Sequence, residues 1–316
     1  MGGNIQDEPL ITVLSGGIGE EREVSLATGR AVAAALERTH AVDLLEINEA
    51  DAPQGLDGGS MVVFPAIHGT FGEDGELQSL LEERGIEYAG SGVFASRLCM
   101  DKQRTKAIVE SAGVPVPDGV VFEQPSFVDL ETVVDRLGPD LVVKPVDQGS
   151  SVSLSLVEGL DALQEAIAPL PRGNWMIEKR IFGRELTVGV LNGQALGVVE
   201  VIPKGGIYDY KHKYVTGSTE YRYPAVLPAA LESGVRRAAE TAFAVCGCRD
   251  FARVDFIATR DGPWYLLEVN TIPGLTETSL LPKSASCAGY DFDHLVNELV
   301  APSIKRFQER SSLERN

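Results

Sequence analysis

The first hundred residues repeat one order of elements, in which a short apolar strand is followed by a loop and then by a helix. The sequence predicts strands at Leu10–Ser15, Val42–Ile47 and Met61–Ile67, and helices at Val24–Leu36 and Glu76–Arg84. Strands that alternate with helices in this way build a parallel sheet covered by helices. We therefore expect an α/β unit at the N-terminus.

Towards the C-terminus the order of elements changes. The sequence predicts consecutive strands at Leu186–Leu191, Ala195–Ile202, Ala252–Ala258 and Trp264–Val269, and an Asn-Gly pair between the first two is typical of a β-hairpin. Strands joined by hairpins pair in antiparallel fashion. We therefore expect an α+β unit here, with an antiparallel sheet and its helices on one side.

The acidic composition restricts the partners of the chain. The 316 residues include 28 Lys and Arg against 46 Asp and Glu, so the formal net charge is −18. Nucleic-acid binding needs a positive surface, and an anionic membrane repels such a chain. We expect small-molecule substrates, no nucleic-acid or membrane partner, and a cytoplasmic location, because the N-terminal residues lack a secretory pattern. Any bound polyanion must meet a local cluster of Lys and Arg.

The four cysteines are Cys99, Cys246, Cys248 and Cys287. The single residue between Cys246 and Cys248 makes them too close for a common zinc pairing, and no histidine lies beside them. We expect buried or idle thiols in a reducing compartment.

Two loops of the N-terminal unit carry candidate site residues. Gly17 and Gly19 form half of a dinucleotide fingerprint, but Arg22 occupies the place of its third glycine, so nicotinamide binding is the weaker interpretation. Glu20, Glu21 and Glu23 follow these glycines; they either favour the helix N-terminus electrostatically, or one of them holds the ammonium group of a substrate. His68 follows a strand at the edge where parallel sheets bind ligands; a structural loop histidine is the alternative.

Two further segments have features of phosphate binding. Lys144 ends a predicted buried strand, and Gly149-Ser150-Ser151 follows, where small residues let backbone amides approach phosphate oxygens. A plain β-hairpin turn with a solvated lysine is the alternative. The polar, aromatic segment Ile207–Tyr223 is predicted to be a functional loop or lid, with a solvated loop as the alternative.

The pattern with the most chemical content lies in the last two predicted strands. Arg253 and Asp255 share one face of a strand, and Glu268 and Asn270 share one face of the next. If the strands pair, three oxygen ligands meet on one side, a donor set that suits Mg²⁺. Arg253 beside them can stabilise developing negative charge. An exposed face with ion pairs is the alternative, but the apolar flanking residues favour the metal site.

These motifs occur together, and in the same order, in a known family. From about Gly16 to Pro282 the chain resembles the D-alanine–D-alanine ligases of the ATP-grasp fold. The resemblance is carried by the segments GGIGEEREVSLATG, HGTFGEDG, YAGSG with MDK, KPVDQGSSV, IEKRIFGRELTV, YDYKHKY, ARVDF and LLEVNTIPGLTETSLLP. It implies an α/β substrate-binding subdomain at 1–100, a central ATP-grasp subdomain at 101–184 and a C-terminal catalytic subdomain at 185–316.

The resemblance also implies a reaction. ATP phosphorylates the carboxylate of one D-alanine, the amine of a second D-alanine attacks the acyl phosphate, and the dipeptide serves peptidoglycan synthesis. The implied cofactors are ATP and two Mg²⁺ ions, with Mn²⁺ as a substitute, and the implied assembly is a homodimer. The alternatives are another ATP-grasp carboxylate–amine or D-alanine–hydroxy acid ligase, a catalytically silent nucleotide-binding module, and a dehydrogenase.

The resemblance assigns site residues position by position. The implied catalytic residues are Glu21, Ser150, Tyr214, Arg253, Gly274 and Ser279. The implied substrate contacts are His68, Lys213 and Leu280. The implied nucleotide contacts are Lys102, Lys144, Gly149, Ser151, the adenine-reading Glu178, Lys179 and Ile181, and the ribose partner Glu185. The implied metal ligands are Asp255, Glu268 and Asn270.

A few positions depart from the family pattern. Gln148 and Ser153 are atypical of the phosphate loop, and Ile207 stands where an aromatic residue is common. Tyr214 is present and favours an amine as the second substrate. No charged catalytic position is changed.

Overall fold

The computed structural model describes residues 8–149, 153–204 and 219–314. Its strands are β1 (Leu10–Gly16), β2 (Val42–Ile47), β3 (Met61–Pro65), β4 (Glu87–Tyr88), β5 (Gly119–Phe122), β6 (Asp140–Pro145), β7 (Ser155–Glu158), β8 (Trp175–Lys179), β9 (Arg184–Leu191), β10 (Gln194–Pro203), β11 (Thr219–Arg222), β12 (Phe251–Ala258) and β13 (Trp264–Asn270). Its helices are α1 (Arg22–Leu36), α2 (Glu76–Glu83), α3 (Val93–Met100), α4 (Lys102–Ser111), α5 (Leu130–Leu137), α6 (Gly159–Ile167), α7 (Ala229–Val245), α8 (Leu280–Ser286) and α9 (Phe292–Glu314), with a 3₁₀ helix at Pro125–Phe127.

The strands form three sheets, which confirm the predicted mixture of α/β and α+β architecture. The N-terminal sheet has the order β2-β1-β3-β4 and is parallel throughout. The central sheet, β5-β8-β6-β7, and the C-terminal sheet, β11-β10-β9-β12-β13, are antiparallel. The predicted hairpin joins β9 to β10, and both Asn192 and Gly193 have positive φ angles, as its tight turn requires.

Some elements differ from the sequence predictions. The sequence predicts a strand that begins at Ser151, whereas strand β7 begins at Ser155. Helix α8, which contains Pro282, was not predicted from the sequence. At the third position of a helix, however, proline removes no intrahelical hydrogen bond. None of the described helices combines the length and the apolar character needed to cross a membrane.

Two hydrophobic cores cross the subdomain boundaries expected from the sequence. Val109 of α4 lies in one cluster with Val188 and Val254 of the C-terminal sheet. Leu299 of α9 lies in another cluster with Ile11 of the N-terminal sheet. The helix at the C-terminal end thus packs on the first sheet, and the division at 1–100, 101–184 and 185–316 stays a prediction.

We expect Phe251→Ala to destabilise the protein by about 3–5 kcal/mol, because a fully buried ring leaves a cavity. Phe251 has no exposed surface and stacks on Phe64 of the N-terminal sheet, with ring centroids 6.1 Å apart. Urea unfolding followed by circular dichroism measures the loss. Phe127, whose side chain is 82% exposed, supplies the control, and Phe127→Ala should change the stability by less than about 0.5 kcal/mol. Equal effects of the two substitutions would contradict the assigned core.

Candidate active site

The polar residues of the last two strands meet on paired positions. Asp255 of β12 lies opposite Glu268 of β13, Arg253 lies opposite Asn270, and the register shifts immediately after Asp255. The pairing on which the predicted oxygen cluster depended is therefore confirmed. The side chains of Arg253, Asp255 and Glu268 are only 13%, 18% and 23% exposed, so this face is the floor of a cleft and not an open ion-pair surface.

Asp255 is the centre of a hydrogen-bonded group. The Arg253 guanidinium donates from Nε to Oδ1 at 2.9 Å and from Nη2 to Oδ2 at 2.8 Å, a bidentate pair. Thr187 Oγ1 donates to Oδ1 at 2.5 Å, and Asn270 Nδ2 donates to Oδ2 at 3.1 Å. These partners fix both rotatable bonds of the carboxylate, which is what a ligand for a geometrically demanding cation requires.

One side of this floor forms a narrow cleft of about 140 Å³ between the central and C-terminal sheets. Its lining brings together the predicted nucleotide and metal residues Lys102, Lys144, Glu185, Asp255 and Glu268. Lys102 Nζ donates to the Gln148 carbonyl and lies 4.0 Å from Glu268 Oε2. The described lining does not include Lys179, which is exposed, or Ile181.

A buried charge cluster lies under the cleft and includes a residue that the sequence analysis missed. Both oxygens of the Glu178 carboxylate bind lysines: Oε1 accepts from Lys106 Nζ, and Oε2 accepts from Lys144 Nζ at 2.6 Å. The side chain expected to read adenine is thus already bound to two lysines. Lys106 follows Lys102 by four residues on α4, so both lie on one helix face. That spacing was the signal available in the sequence.

The two lysines control the ionisation of Glu178. Burial alone would raise the pKa of this carboxyl, but the charges of Lys106 and Lys144 lower it to about 2. Burial opposes the charged form of Lys144 as well, yet the charge of Glu178 raises the pKa of that lysine. Lys144 therefore remains a fixed cation at the edge of the cleft.

The other side of the floor opens into a wider cleft of about 370 Å³. Its lining contains the predicted amino-acid and oxyanion residues Glu21, His68, Arg253, Gly274, Ser279 and Leu280. Gly149, from the phosphate loop, lines it too, so the two clefts meet at this loop. Arg253 and Asn270 face the wider cleft, and Asp255 and Glu268 face the narrower one.

Both ring nitrogens of His68 have hydrogen-bond partners. Its Nε2 lies 2.9 Å from Thr28 Oγ1, and its Nδ1 lies 3.0 Å from the Ile272 carbonyl and 3.3 Å from Glu73 Oε1. A carbonyl can only accept, so Nδ1 carries a hydrogen by this assignment. Burial raises the pKa of Glu73, a second residue that the sequence analysis missed. His68 thus fixes the loop after β3 and presents its ring to the cleft.

Glu21 lies at a close approach of three loops. Its Oε2 is so near Gly69 that a Cβ there would lie 2.8 Å away, and φ at Gly69 is +72°. A side chain at position 69 would be strained by this φ angle and would displace the Glu21 carboxylate. A Cβ on Gly149 would lie 3.5 Å from the same oxygen. The carboxylate therefore sits between the His68 loop and the phosphate loop.

The last corner of the wider cleft is a turn that leads into α8. Ser279 Oγ accepts from the Thr276 amide at 3.0 Å and lies 2.9 Å from Thr276 Oγ1. Gly274 lies against this hydroxyl, since a Cβ there would be 3.1 Å from Ser279 Oγ. The predicted oxyanion and second-substrate residues are thus adjacent. Ser150, Ser151, Ile207, Lys213 and Tyr214 lie outside the described residues.

Known proteins share both the sequence and the fold. Residues 108–301 match the family described as "D-ala D-ala ligase C-terminus", and residues 45–91 match "D-ala D-ala ligase N-terminus". A D-alanine–D-alanine ligase of Syntrophotalea carbinolica is 44% identical over 303 residues, which cover 94% of this chain and 96% of that protein. One of Aquifex aeolicus is 43% identical over 293 residues, which cover 92% and 99%.

The similar solved structures include a D-alanine–D-alanine ligase from Bacillus anthracis complexed with ATP. It has a TM-score of 0.81 at 31% identity and covers 96% of this chain and 99% of that one. The VanG D-Ala:D-Ser ligase from Enterococcus faecalis has a TM-score of 0.77 at 28% identity, with coverages of 94% and 99%.

We expect acid to remove the stabilisation that Glu178 provides. A carboxyl whose pKa is lowered on folding stabilises the protein at pH values above its unfolded-state pKa of 4.5. This stabilisation is lost as the pH falls from 4.5 towards the folded-state pKa of about 2. It amounts to roughly 3 kcal/mol. Glu178→Gln should therefore be much less stable than the parent at pH 7, and the difference should shrink towards pH 2.

Urea unfolding of both proteins at a series of pH values measures this difference. Glu309→Gln is the control, because Glu309 is 64% exposed on α9. A constant difference between parent and Glu178→Gln across the whole range would contradict the ion-pair cluster.

Proposed function

The chain belongs to the D-alanine–D-alanine ligase family, and from that premise we propose that it joins two D-alanines to D-alanyl-D-alanine with consumption of ATP. The observation that carries the proposal is the shared floor of two clefts. Arg253 and Asn270 face a wide cleft suited to small amino acids, whereas Asp255 and Glu268 face a narrow cleft with two lysines. A carboxylate in the wide cleft and a phosphate donor in the narrow cleft would meet across this floor.

The donor set of the floor fits a hard divalent cation. Asp255, Glu268 and Asn270 supply carboxylate and amide oxygens from paired strands, the ligands that Mg²⁺ and Mn²⁺ prefer. We propose that these residues hold Mg²⁺, two ions in the family arrangement, which when bound neutralises charge on the phosphate oxygens. Lys102 and Lys144 add cations at the same cleft, against the net charge of −18.

The wide cleft would bind and orient the two amino acids. We propose that Glu21 holds the ammonium group of the first D-alanine, with His68 shaping the wall beside it. The carboxylate of this D-alanine would then point towards the floor and attack the terminal phosphoryl group of ATP, so that a new O–P bond forms, the P–O bond to the bridging oxygen breaks and ADP leaves. The amine of the second D-alanine, placed by Ser279 and Leu280, would attack the carbonyl of the resulting acyl phosphate, lose a proton and expel phosphate.

The charge that develops on the attacked carbonyl oxygen would meet two donors. The Arg253 guanidinium lies at the floor, and the Gly274 amide lies beside Ser279. Because both are held before substrate arrives, they cost little reorganisation in the transition state. Ser150, Tyr214 and Lys213 remain proposed partners of Glu21 and of the transferred phosphoryl group, and Gly149 and Ser151 remain proposed phosphate-loop contacts.

The remaining assignments are proposals that rest on the family resemblance. Glu185, which lines the narrow cleft, would bind ribose, and the backbone and side chains near Glu178, Lys179 and Ile181 would contact adenine. We also propose three subdomains at the boundaries given above, a homodimer, and action in the cytoplasm on peptidoglycan precursors.

The substrate assignment predicts which pairs of amino acids release phosphate from Mg-ATP. D-Alanine alone should give phosphate and D-alanyl-D-alanine in equal amounts, whereas L-alanine should give neither. D-Serine or D-lactate added with D-alanine tests which compound the protein accepts as its second substrate. Mass spectrometry of the products checks all arms, and a mixed product formed in preference to the D-alanine dipeptide would redirect the proposal to another ligase of this fold.

Glu268→Gln should lower kcat by about 10²–10³-fold, a loss typical of removing one electrostatic contact to a transition state. The isosteric amide keeps the packing, so the midpoint of thermal unfolding should stay close to that of the parent. Glu309→Gln should leave kcat unchanged. Phosphate release at a series of Mg²⁺ concentrations measures the effect, and an unchanged Mg²⁺ dependence would contradict the metal assignment.

A further inference from the structure

Three of the four cysteines meet, although they come from two distant parts of the chain. Cys99 lies in the last turn of α3, Cys246 ends α7, and Cys248 follows two residues later. The Cys99 and Cys248 sulfurs are 3.8 Å apart, and the Cys246 thiol also contacts Cys99. All are free thiols. The proposed ligase chemistry gives this cluster no role.

The three thiols differ in their access to solvent. Cys99 is 6% exposed and Cys246 is fully buried, whereas Cys248 is only half-buried. Hydrogen bonds with the neighbouring thiols raise the pKa of Cys99, and the hydrogen bond with Cys99 lowers the pKa of Cys248. Cys248 is thus both the more accessible sulfur and the one with more thiolate character, the combination that selects a cysteine for oxidation.

The residues that follow Cys248 are anchored to the loop that precedes α3. Arg249 donates its backbone N–H to Ser91 Oγ at 3.2 Å, and Asp250 accepts from the Gly90 amide at 2.8 Å. Arg306 of α9 binds both oxygens of Asp250, at 2.8 and 2.9 Å. A disulfide needs sulfurs about 2.0 Å apart. The Cys99 and Cys248 sulfurs, 3.8 Å apart, are therefore already in contact, and the residues beside Cys248 are held in place by these hydrogen bonds.

We propose that Cys99 and Cys248 form a reversible oxidation site for hydrogen peroxide. The Cys248 sulfur attacks one peroxide oxygen, so an S–O bond forms, the O–O bond breaks, and the departing hydroxide takes up a proton as water. The Cys99 sulfur then attacks the Cys248 sulfur, so the S–S bond forms and the S–O bond breaks. The proton of the Cys99 thiol and the hydroxyl group of the oxidised Cys248 leave together as a second water. Two thiols lose two electrons, and one peroxide gains them.

Peptide mapping of the full chain tests the site without any substrate, and so independently of the ligase proposal. The protein is treated with hydrogen peroxide, its remaining thiols are alkylated, and its peptides are identified by mass spectrometry. We expect one disulfide, between Cys99 and Cys248, that dithiothreitol reverses. Cys287, whose thiol contacts the Lys283 carbonyl at 3.4 Å, serves as the internal control and should stay alkylatable.

Two matched variants distinguish oxidation of the Cys99–Cys248 pair from oxidation of Cys246. Cys246→Ser should still form the Cys99–Cys248 disulfide, whereas Cys248→Ser should form none. A Cys99–Cys246 disulfide in the parent, or sulfinic acid at Cys248 without a disulfide, would overturn the proposal. Oxidation of Cys287 as fast as Cys248 would also overturn it. Mapping of the parent protein decides these outcomes even if a variant does not fold.

Discussion

Glu178 binds two lysines from different elements, and the arrangement of charges at the narrow cleft depends on those contacts. Lys106 comes from α4 and Lys144 from β6, so one carboxylate joins the helix that carries Lys102 to the central sheet. Removing one partner of a buried ion pair leaves an unpaired charge, which costs about 3–5 kcal/mol. The cluster therefore fixes the position of the cations before any anion binds, and an acidic chain gains a local positive region.

The second constraint is the pairing of β12 with β13. Residues two apart on a strand share a face, so four polar residues at Arg253, Asp255, Glu268 and Asn270 had one common surface as soon as the strands paired. This pairing was predictable from spacing, because the apolar neighbours favoured a shared site over an exposed face with ion pairs. The hairpin at Asn192-Gly193 was predictable for a similar local reason.

Other parts of the site required the tertiary structure. Glu178 lies opposite Val142, and Lys144 lies opposite Met176, so the carboxylate and the ammonium group are diagonal neighbours across β8 and β6. No sequence spacing encodes this register. The approach of Cys99 to Cys248 likewise joins segments separated by 149 positions. Local patterns predicted candidate residues that the two clefts bring together, whereas long-range packing decided which of them are already paired.

The packing of α9 on the N-terminal sheet has a consequence for synthesis of the chain. Leu295 and Leu299 share a core with Ile11 and Val13, residues from opposite ends of the sequence. While the ribosome is still adding the middle of the protein, the first sheet has one face without its final cover. Domains usually fold as they emerge, N-terminal part first. Here strands β1 and β3 can complete this core only after residues 292–314 have been made, so a sheet that is synthesised early is finished late.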